Sequence, residues 1–229
     1  MYLKQLLDAM AIEFSRRRTY QALLFLSFLV VLLPVRIHAA NTIQGDSENG
    51  REIAENNSKC IRCHGKDGVS DDPDTPHLAG QTAAYLLKQM KDFKTQERLG
   101  PNMYKRVRKL SDQQMADIAV YYSSQTLPQW PVDIQALRVP QLVNSGDPAR
   151  AIPPCELCHA KDGRSVSGDI PVLAGQSADY LISAMEYFRD GIRSNDPGDI
   201  METITKKMFD IEFEGLARYY EALGGRSTE

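Results

Sequence analysis

The chain has 229 residues, 42% hydrophobic and 25% charged, with a formal net charge of −3. That leaves room for one large or two small domains and excludes collagen-like, low-complexity and charge-disordered chains. The acidic balance gives no chain-wide basic footprint for nucleic acid.

Residues 1–40 read as an export signal. Arg16-Arg17-Arg18 form a basic start, and residues 22–33 follow with no charge and only Ser27 as a polar member. Pro34 breaks the run, and Ala39 and Ala40 supply small residues for cleavage. A span of the bilayer takes about 20 apolar residues, so this run is short for one. The competing reading is an uncleaved N-terminal anchor, with Met10 as an alternative start. Both readings predict that the rest of the chain lies outside the cytoplasm, in the periplasm. Residues 41–138 are neutral, with 13 basic and 13 acidic side chains, whereas residues 139–229 hold 9 and 15. The second half therefore carries the negative field.

A repeat sets the architecture. Cys60-Ile61-Arg62-Cys63-His64 recurs 95 residues on as Cys155-Glu156-Leu157-Cys158-His159. Lys66-Asp67-Gly68 matches Lys161-Asp162-Gly163, and Leu78-Ala79-Gly80-Gln81 matches Leu173-Ala174-Gly175-Gln176. Over residues 60–98, 19 of 39 positions are identical in the second copy, so the chain is an internal duplication. Three extra residues then move the offset to 98, and Met103 aligns with Met201. The predicted layout is a domain over 41–126, a linker over 127–141 containing Pro128, Pro131 and Pro140, and a second domain over 142–229.

The predicted elements are all helical. Glu48 to Lys59 forms a first helix that runs into Cys60. Ala83 to Thr95 places Leu86, Met90 and Phe93 at helical spacing. Ser111-Asp112-Gln113-Gln114 reads as a capping box for a last helix with Met115, Ile118, Ala119 and Tyr122 on its buried stripe. The second copy is expected to repeat this pattern and stop at Gly224-Gly225. No segment alternates as a strand does.

Cys-x-x-Cys-His is the attachment signature for c-type haem. Two thiols three apart on a helical turn reach both vinyl groups of one porphyrin, and the adjacent His falls under the iron. Cys60, Cys63, Cys155 and Cys158 are thus the candidate thioether positions, and His64 and His159 the candidate iron ligands. A zinc site would have to pair the cysteines across 95 residues and would leave both histidines without a role. A redox dithiol needs a βαβ pattern that is absent, and cysteines three apart make poor disulfide staples.

The second axial ligand separates a carrier from an enzyme, because an enzyme leaves that position open or openable. Beyond residue 40 only His64, His77 and His159 are histidines, so bis-His ligation of both haems is impossible. The Met candidates are Met90, Met103 and Met115 in the first copy and Met185, Met201 and Met208 in the second. Met103 and Met201 are repeat-matched and follow Gly/Pro/Asn/Asp segments that read as loops, from which a thioether can swing over a haem face. The others read as core. Pro76 and Pro171 each lie twelve residues after the proximal His, where a carbonyl could orient the ring N–H. His77, with Val172 opposite it in the repeat, reads as a surface or haem-edge residue. The Tyr121-Tyr122 and Tyr219-Tyr220 pairs read as core. Lys105, Arg106, Arg108 and Lys109 read either as a solvated helix face or as a docking patch.

On these residues the chain resembles dihaem cytochromes of the cytochrome c4 type. The resemblance rests on the two Cys-x-x-Cys-His motifs, the two Leu-Ala-Gly-Gln segments with Tyr85-Leu86 and Tyr180-Leu181, and Met103 and Met201. It also takes in Leu110-Ser111-Asp112 leading to Tyr121-Tyr122, and covers about residues 45–224. It implies an all-α fold of two tandem class I cytochrome c-like domains, each wrapped around one covalently attached haem c. It implies a one-electron carrier, not an enzyme, whose redox partners are a respiratory complex, terminal oxidase or reductase, with transient contact to a membrane complex. The basic Met103 segment, and Met208-Phe209 in place of Leu110-Ser111, depart from the family pattern. Two rivals stand beside the carrier reading. One is the cytochrome subunit of a larger dehydrogenase, such as a flavin-linked sulfide dehydrogenase. The other is a dihaem peroxidase, against which two well-placed methionines argue.

Overall fold

The computed structural model describes residues 43–56, 60–127 and 140–224. The expected export segment, Lys59, most of the expected linker and Gly225 lie outside these residues. The described residues are helical, with no strand, and two isolated bridges pair Arg98 with Arg193 and Asp147 with Ile152.

In the first copy, α1 spans Ser47–Asn56 and α2 spans Ile61–His64. Then come α3 (Ala83–Thr95), α4 (Pro101–Val107) and α5 (Asp112–Ser123). Asp46 starts α1, its Oδ1 accepting the N–H groups of Glu48 and Asn49. Thr82 caps α3 by accepting from Tyr85 N–H. The expected capping box of α5 is complete, with Ser111 and Gln114 exchanging side-chain and backbone bonds. α1 crosses α5 at Gly50, where a Cβ would stand 2.1 Å from the Asp117 carbonyl oxygen. Leu86, Met90, Phe93, Val107, Met115, Ile118 and Tyr122 form the buried core. Each such side chain, fully buried, contributes about 1.5–3 kcal/mol of transfer free energy.

The second copy contains α6 (Gln141–Asn144), α7 (Glu156–His159), α8 (Ala178–Arg189), α9 (Ile200–Thr205) and α10 (Asp210–Ala222). Single 3₁₀ turns lie at Pro148–Arg150 and Pro197–Asp199. One expectation fails here: the first helix of the pattern is not repeated. After the four-residue α6, the left-handed Gly146 (φ +64°) leads into a single 3₁₀ turn that Asp147 caps as Asp46 caps α1, with Pro148 at its first position. Leu142, Val143 and Ile152 nevertheless reach the second core, beside Leu181, Met208, Phe213 and Leu216.

The repeated Lys-Asp-Gly turn has a steric cause. Gly68 (φ +78°) and Gly163 (φ +71°) are left-handed, and their missing Cβ atoms would sit 2.8 Å and 3.0 Å from the rings of Tyr122 and Tyr220. Glycine allows both the backbone angle and the close approach of the last helix. Each turn also accepts two amides on its glycine carbonyl, from Leu78 and Ala79 and from Leu173 and Ala174. That pulls the two Leu-Ala-Gly-Gln segments against their cores.

Candidate haem sites

Each Cys-x-x-Cys-His motif folds as one helical turn, in which the His N–H donates to the first Cys carbonyl at 3.0 Å. Cys60 and Cys155 are half-buried, Cys63 and Cys158 exposed, and His64 and His159 buried. His64 Nδ1 lies 3.0 Å from the Pro76 carbonyl oxygen, and His159 Nδ1 lies 3.1 Å from that of Pro171. A carbonyl only accepts, so Nδ1 carries the hydrogen and Nε2 is left as the free base. Burial pushes both imidazoles below their ordinary pKa, against the opposing pull of the proline carbonyls. A neutral ring with an available Nε2 is what an iron ligand requires.

A cavity of about 1070 Å³ reaches both copies. His64, Cys60 and Met103 line it on one side, and His159, Cys155, Cys158 and Met201 on the other. Tyr122 stands on the wall beside Cys60, its buried hydroxyl without a hydrogen-bond partner among the described residues. Burial pushes that hydroxyl well above its ordinary pKa, and Tyr220 mirrors it beside Cys155. A large apolar cavity, two half-buried thiols, two oriented neutral imidazoles and two thioether sulfurs fit a pair of covalently held porphyrins. When bound, haem supplies the one-electron couple, and the protein supplies attachment, burial and ligand orientation.

Met103 and Met201 do not sit in loops. Met103 is the third residue of α4 and Met201 the second of α9, both partly buried. Pro101 at the start of α4 pre-sets the backbone for helix, whereas Pro197 opens a 3₁₀ turn that the left-handed Gly198 (φ +72°) and Asp199 (φ +52°) separate from α9. The signal thus marked a helix start in the first copy and a true turn before the helix in the second, and a first-turn position still places both methionines on the cavity wall. Met90 and Met208 are buried in the two cores, and Met185 packs partly buried against the second, though all three also touch the cavity.

The other expectations sort cleanly. Both Tyr pairs are buried. His77 is half-buried on the cavity wall, with Nδ1 accepting from Ser70 N–H at 3.0 Å, and burial lowers its pKa. Lys105, Arg106, Arg108 and Lys109 are exposed and form no salt bridge among the described residues. In the second copy Lys206 pairs with Glu202, and Lys207 donates to the Ala151 carbonyl. Burial pushes the Cys155 thiol up to about 11, the opposite of a redox-active pair.

Two groups between the copies escaped sequence reasoning. Arg98 donates to Tyr180 Oη at 3.1 Å, and Arg193 donates to Tyr85 Oη at 2.9 Å. Gln89 Oε1 accepts from Arg98, Arg193 and Asn195. Burial alone would raise Tyr180, but the two guanidinium groups overturn it and hold its hydroxyl below the ordinary value. The second group is Gln81 and Gln176, each bonded to backbone of the other copy. The signal for both was the repeat itself, since Arg98/Arg193, Tyr85/Tyr180 and Gln81/Gln176 are matched identities.

The family profile described as Cytochrome c matches residues 47–126. A cytochrome c4 from Pseudomonas aeruginosa is 37% identical over 87% of this chain and 98% of its own. A thiosulfate dehydrogenase electron acceptor from Stutzerimonas stutzeri is 34% identical over 86% of this chain and 93% of its own. Reduced recombinant cytochrome c4 from Pseudomonas stutzeri superposes with a TM-score of 0.71 at 33% identity, covering 78% of this chain and 99% of that one. Helical copies, paired attachment motifs and these relatives together define a c-type cytochrome with two covalently bound haem c groups in tandem class I domains. The chain belongs to the cytochrome c4 family of dihaem cytochromes and is an electron carrier, not an enzyme.

Proposed function

We propose that the chain is a periplasmic shuttle that moves single electrons between a membrane respiratory complex and a second redox protein. His64 and Met103 ligate one iron and His159 and Met201 the other, with thioether bonds to Cys60 and Cys63 and to Cys155 and Cys158. The observation that carries this reading is the matched pair of imidazoles. Each is buried and neutral, has Nδ1 on a proline carbonyl, and shares its cavity with a first-turn methionine. Closed ligation on both faces favours fast electron exchange with little rearrangement. The Arg16-Arg17-Arg18 start and the apolar run at 22–33 support export.

Charge supports a polar docking scheme. The basic run at the end of α4 and just after it offers an acidic partner four cations that form no salt bridge among the described residues, of which Arg106 and Lys109 line the cavity beside the first site. The second half, with 9 basic and 15 acidic side chains, suits a partner with a basic face. The thiosulfate dehydrogenase electron acceptor among the relatives supports a second reading, in which the donor is a dehydrogenase. Haem counting, optical spectra and carbon monoxide binding test the core of the proposal. Two low-spin haems per chain, a Met-to-ferric charge-transfer band and no CO adduct are expected. A wild-type haem that takes CO overturns the Met103 or Met201 assignment. Association with either partner should slow as salt rises, and a salt-independent rate overturns the docking scheme.

A further inference from the structure

The Leu-Ala-Gly-Gln repeats end in two buried glutamines, each of which also accepts the N–H of the following residue, Thr82 or Ser177, at 3.0 Å. Gln176 Oε1 accepts from His77 N–H at 2.9 Å, and Gln176 Nε2 donates to the His77 carbonyl at 2.9 Å. In mirror fashion, Gln81 Oε1 accepts from Val172 N–H at 2.8 Å, and Gln81 Nε2 donates to the Val172 carbonyl at 3.0 Å. Both glutamines are buried. Each therefore brackets one residue of the opposite copy with two hydrogen bonds.

The bracketed residues decide the consequence. His77 follows Pro76, and Val172 follows Pro171. The Pro76 carbonyl and the His77 N–H belong to one peptide group. Its oxygen accepts the Nδ1–H of His64, and its N–H donates to Gln176. The Pro171–Val172 peptide does the same between His159 and Gln81. Each chain of bonds runs from a proximal imidazole, through one planar peptide, to an amide oxygen of the other copy. Peptide resonance couples the two ends: a stronger acceptor on the N–H makes the carbonyl oxygen a stronger acceptor for the ring. Hydrogen bonds in such chains polarise one another, by roughly 10–30% per bond. A stronger bond at Nδ1 makes the imidazole a more basic ligand, which favours the oxidised iron.

We propose that Gln81 and Gln176 are crossed positioning residues, each tuning the reduction potential of the haem held by the other copy. The proposal rests on His64 and His159 as the iron ligands. It makes the interface between the copies part of both ligand fields. Opening that interface would weaken both Nδ1 bonds at once and raise both potentials.

The test uses the full-length, haem-loaded protein with Gln176→Met and Gln81→Met, which keep side-chain volume and remove both cross-copy hydrogen bonds along with the local bond to Ser177 or Thr82 N–H. NMR-monitored redox titration reads each haem separately, and hydrogen exchange reads the His77 and Val172 amides. Gln176→Met should expose the His77 amide to about tenfold faster exchange. It should raise the potential of the His64 haem more than that of the His159 haem. Gln81→Met should release the Val172 amide and reverse the order. Equal shifts at both haems, a larger shift at the variant's own copy, or no shift with the amide released would overturn the proposal. Unchanged amide exchange would overturn it as well, by removing the bond on which it stands. Failure of the ligand assignment is distinguishable, because it shows in the wild-type spectrum before any variant is made.

Discussion

The two copies share the half that faces the haem sites and differ in the half that braces it. In the first copy a ten-residue helix crosses the last helix, and the buried Asp117 joins them. Asp117 accepts from Asp46 N–H at 2.8 Å, from Asn49 at 2.6 Å and from Gln113 at 2.8 Å. In the second copy the matching aspartate, Asp147, caps only a 3₁₀ turn, and a charged clamp takes the helix's place. Arg150 donates twice to Glu212, at 2.9 Å and 2.6 Å, and also reaches Asp147 and the Lys207 carbonyl. The Cys-His turn, the proline carbonyl and the Tyr wall recur in both, around the cavity the copies share. Duplication has kept what the cofactor touches and left the brace free to change chemistry.

The comparison breaks most visibly at Gly50. A single added methyl in Gly50→Ala would meet the Asp117 carbonyl at 2.1 Å and force α1 off α5. The expected cost is about 3 kcal/mol. In the second copy Ser145 is exposed at the end of the four-residue α6, and Ser145→Ala should stay within about 0.5 kcal/mol of wild type. Urea unfolding followed by circular dichroism compares the two. A neutral Gly50→Ala would mean that the crossing does not brace the first copy.

Acid sharpens the contrast between the braces. Burial works against the Asp117 charge, but its three donors overturn that and hold its pKa below the ordinary carboxylate value. The Arg150 hydrogen bonds pull Glu212 down, against burial. Both folded values lie below the unfolded ones, so both contributions are complete above the unfolded pKa. Both fade as pH falls through the carboxylate range toward the depressed folded values. Asp117→Asn should cost about 1–3 kcal/mol at neutral pH, because the new amide turns a donor toward existing donors. Glu212→Gln should cost less, since solvent reaches that pair. Each variant should flatten the acid limb of stability for its own copy, read by amide exchange between pH 3 and 7 at roughly unit steps. Identical acid limbs in wild type and both variants would remove these carboxylates from the account.

Much of the haem-facing half was legible in the sequence. The Cys-His turns, the proline carbonyls twelve residues on and the α3 and α5 helices all rest on local spacing, and the repeat stated each of them twice. Three features were not legible for physical reasons. Met103 and Met201 follow Gly/Pro/Asp-rich segments, and both sit in the first turn of a short helix: Pro101 itself opens the first, while the second starts directly after the left-handed Gly198 and Asp199. The loss of the first helix in the second copy leaves only the 3₁₀ turn that Asp147 caps, between apolar residues that still reach the core. The glutamine and arginine contacts span 82 to 108 residues of sequence, and no local period reports on partners so far apart. Repeat identity flagged these residues as constrained without saying what constrained them.

The smallest expected effect separates the caps of the two last helices. Ser111 and Gln114 exchange both bonds of a capping box on α5. On α10 the N-cap is Phe209, which has no side-chain acceptor, and only the return bond from its N–H to Glu212 remains, at 2.8 Å. The Arg150 guanidinium lies 4.7 Å over the Phe209 ring, so the aromatic ring substitutes for a cap by holding the clamp in place. Ser111→Ala should therefore cost the first copy about 1 kcal/mol. Phe209→Ser should add a cap bond while losing the cation–ring contact, and the two effects, each about 0.5–1 kcal/mol, should nearly cancel. Thermal unfolding of the two variants reads the difference. A Phe209→Ser protein stabilised by a full cap's worth would show that the ring contributes nothing to the clamp. The second copy's brace would then reduce to Arg150 and its carboxylates alone.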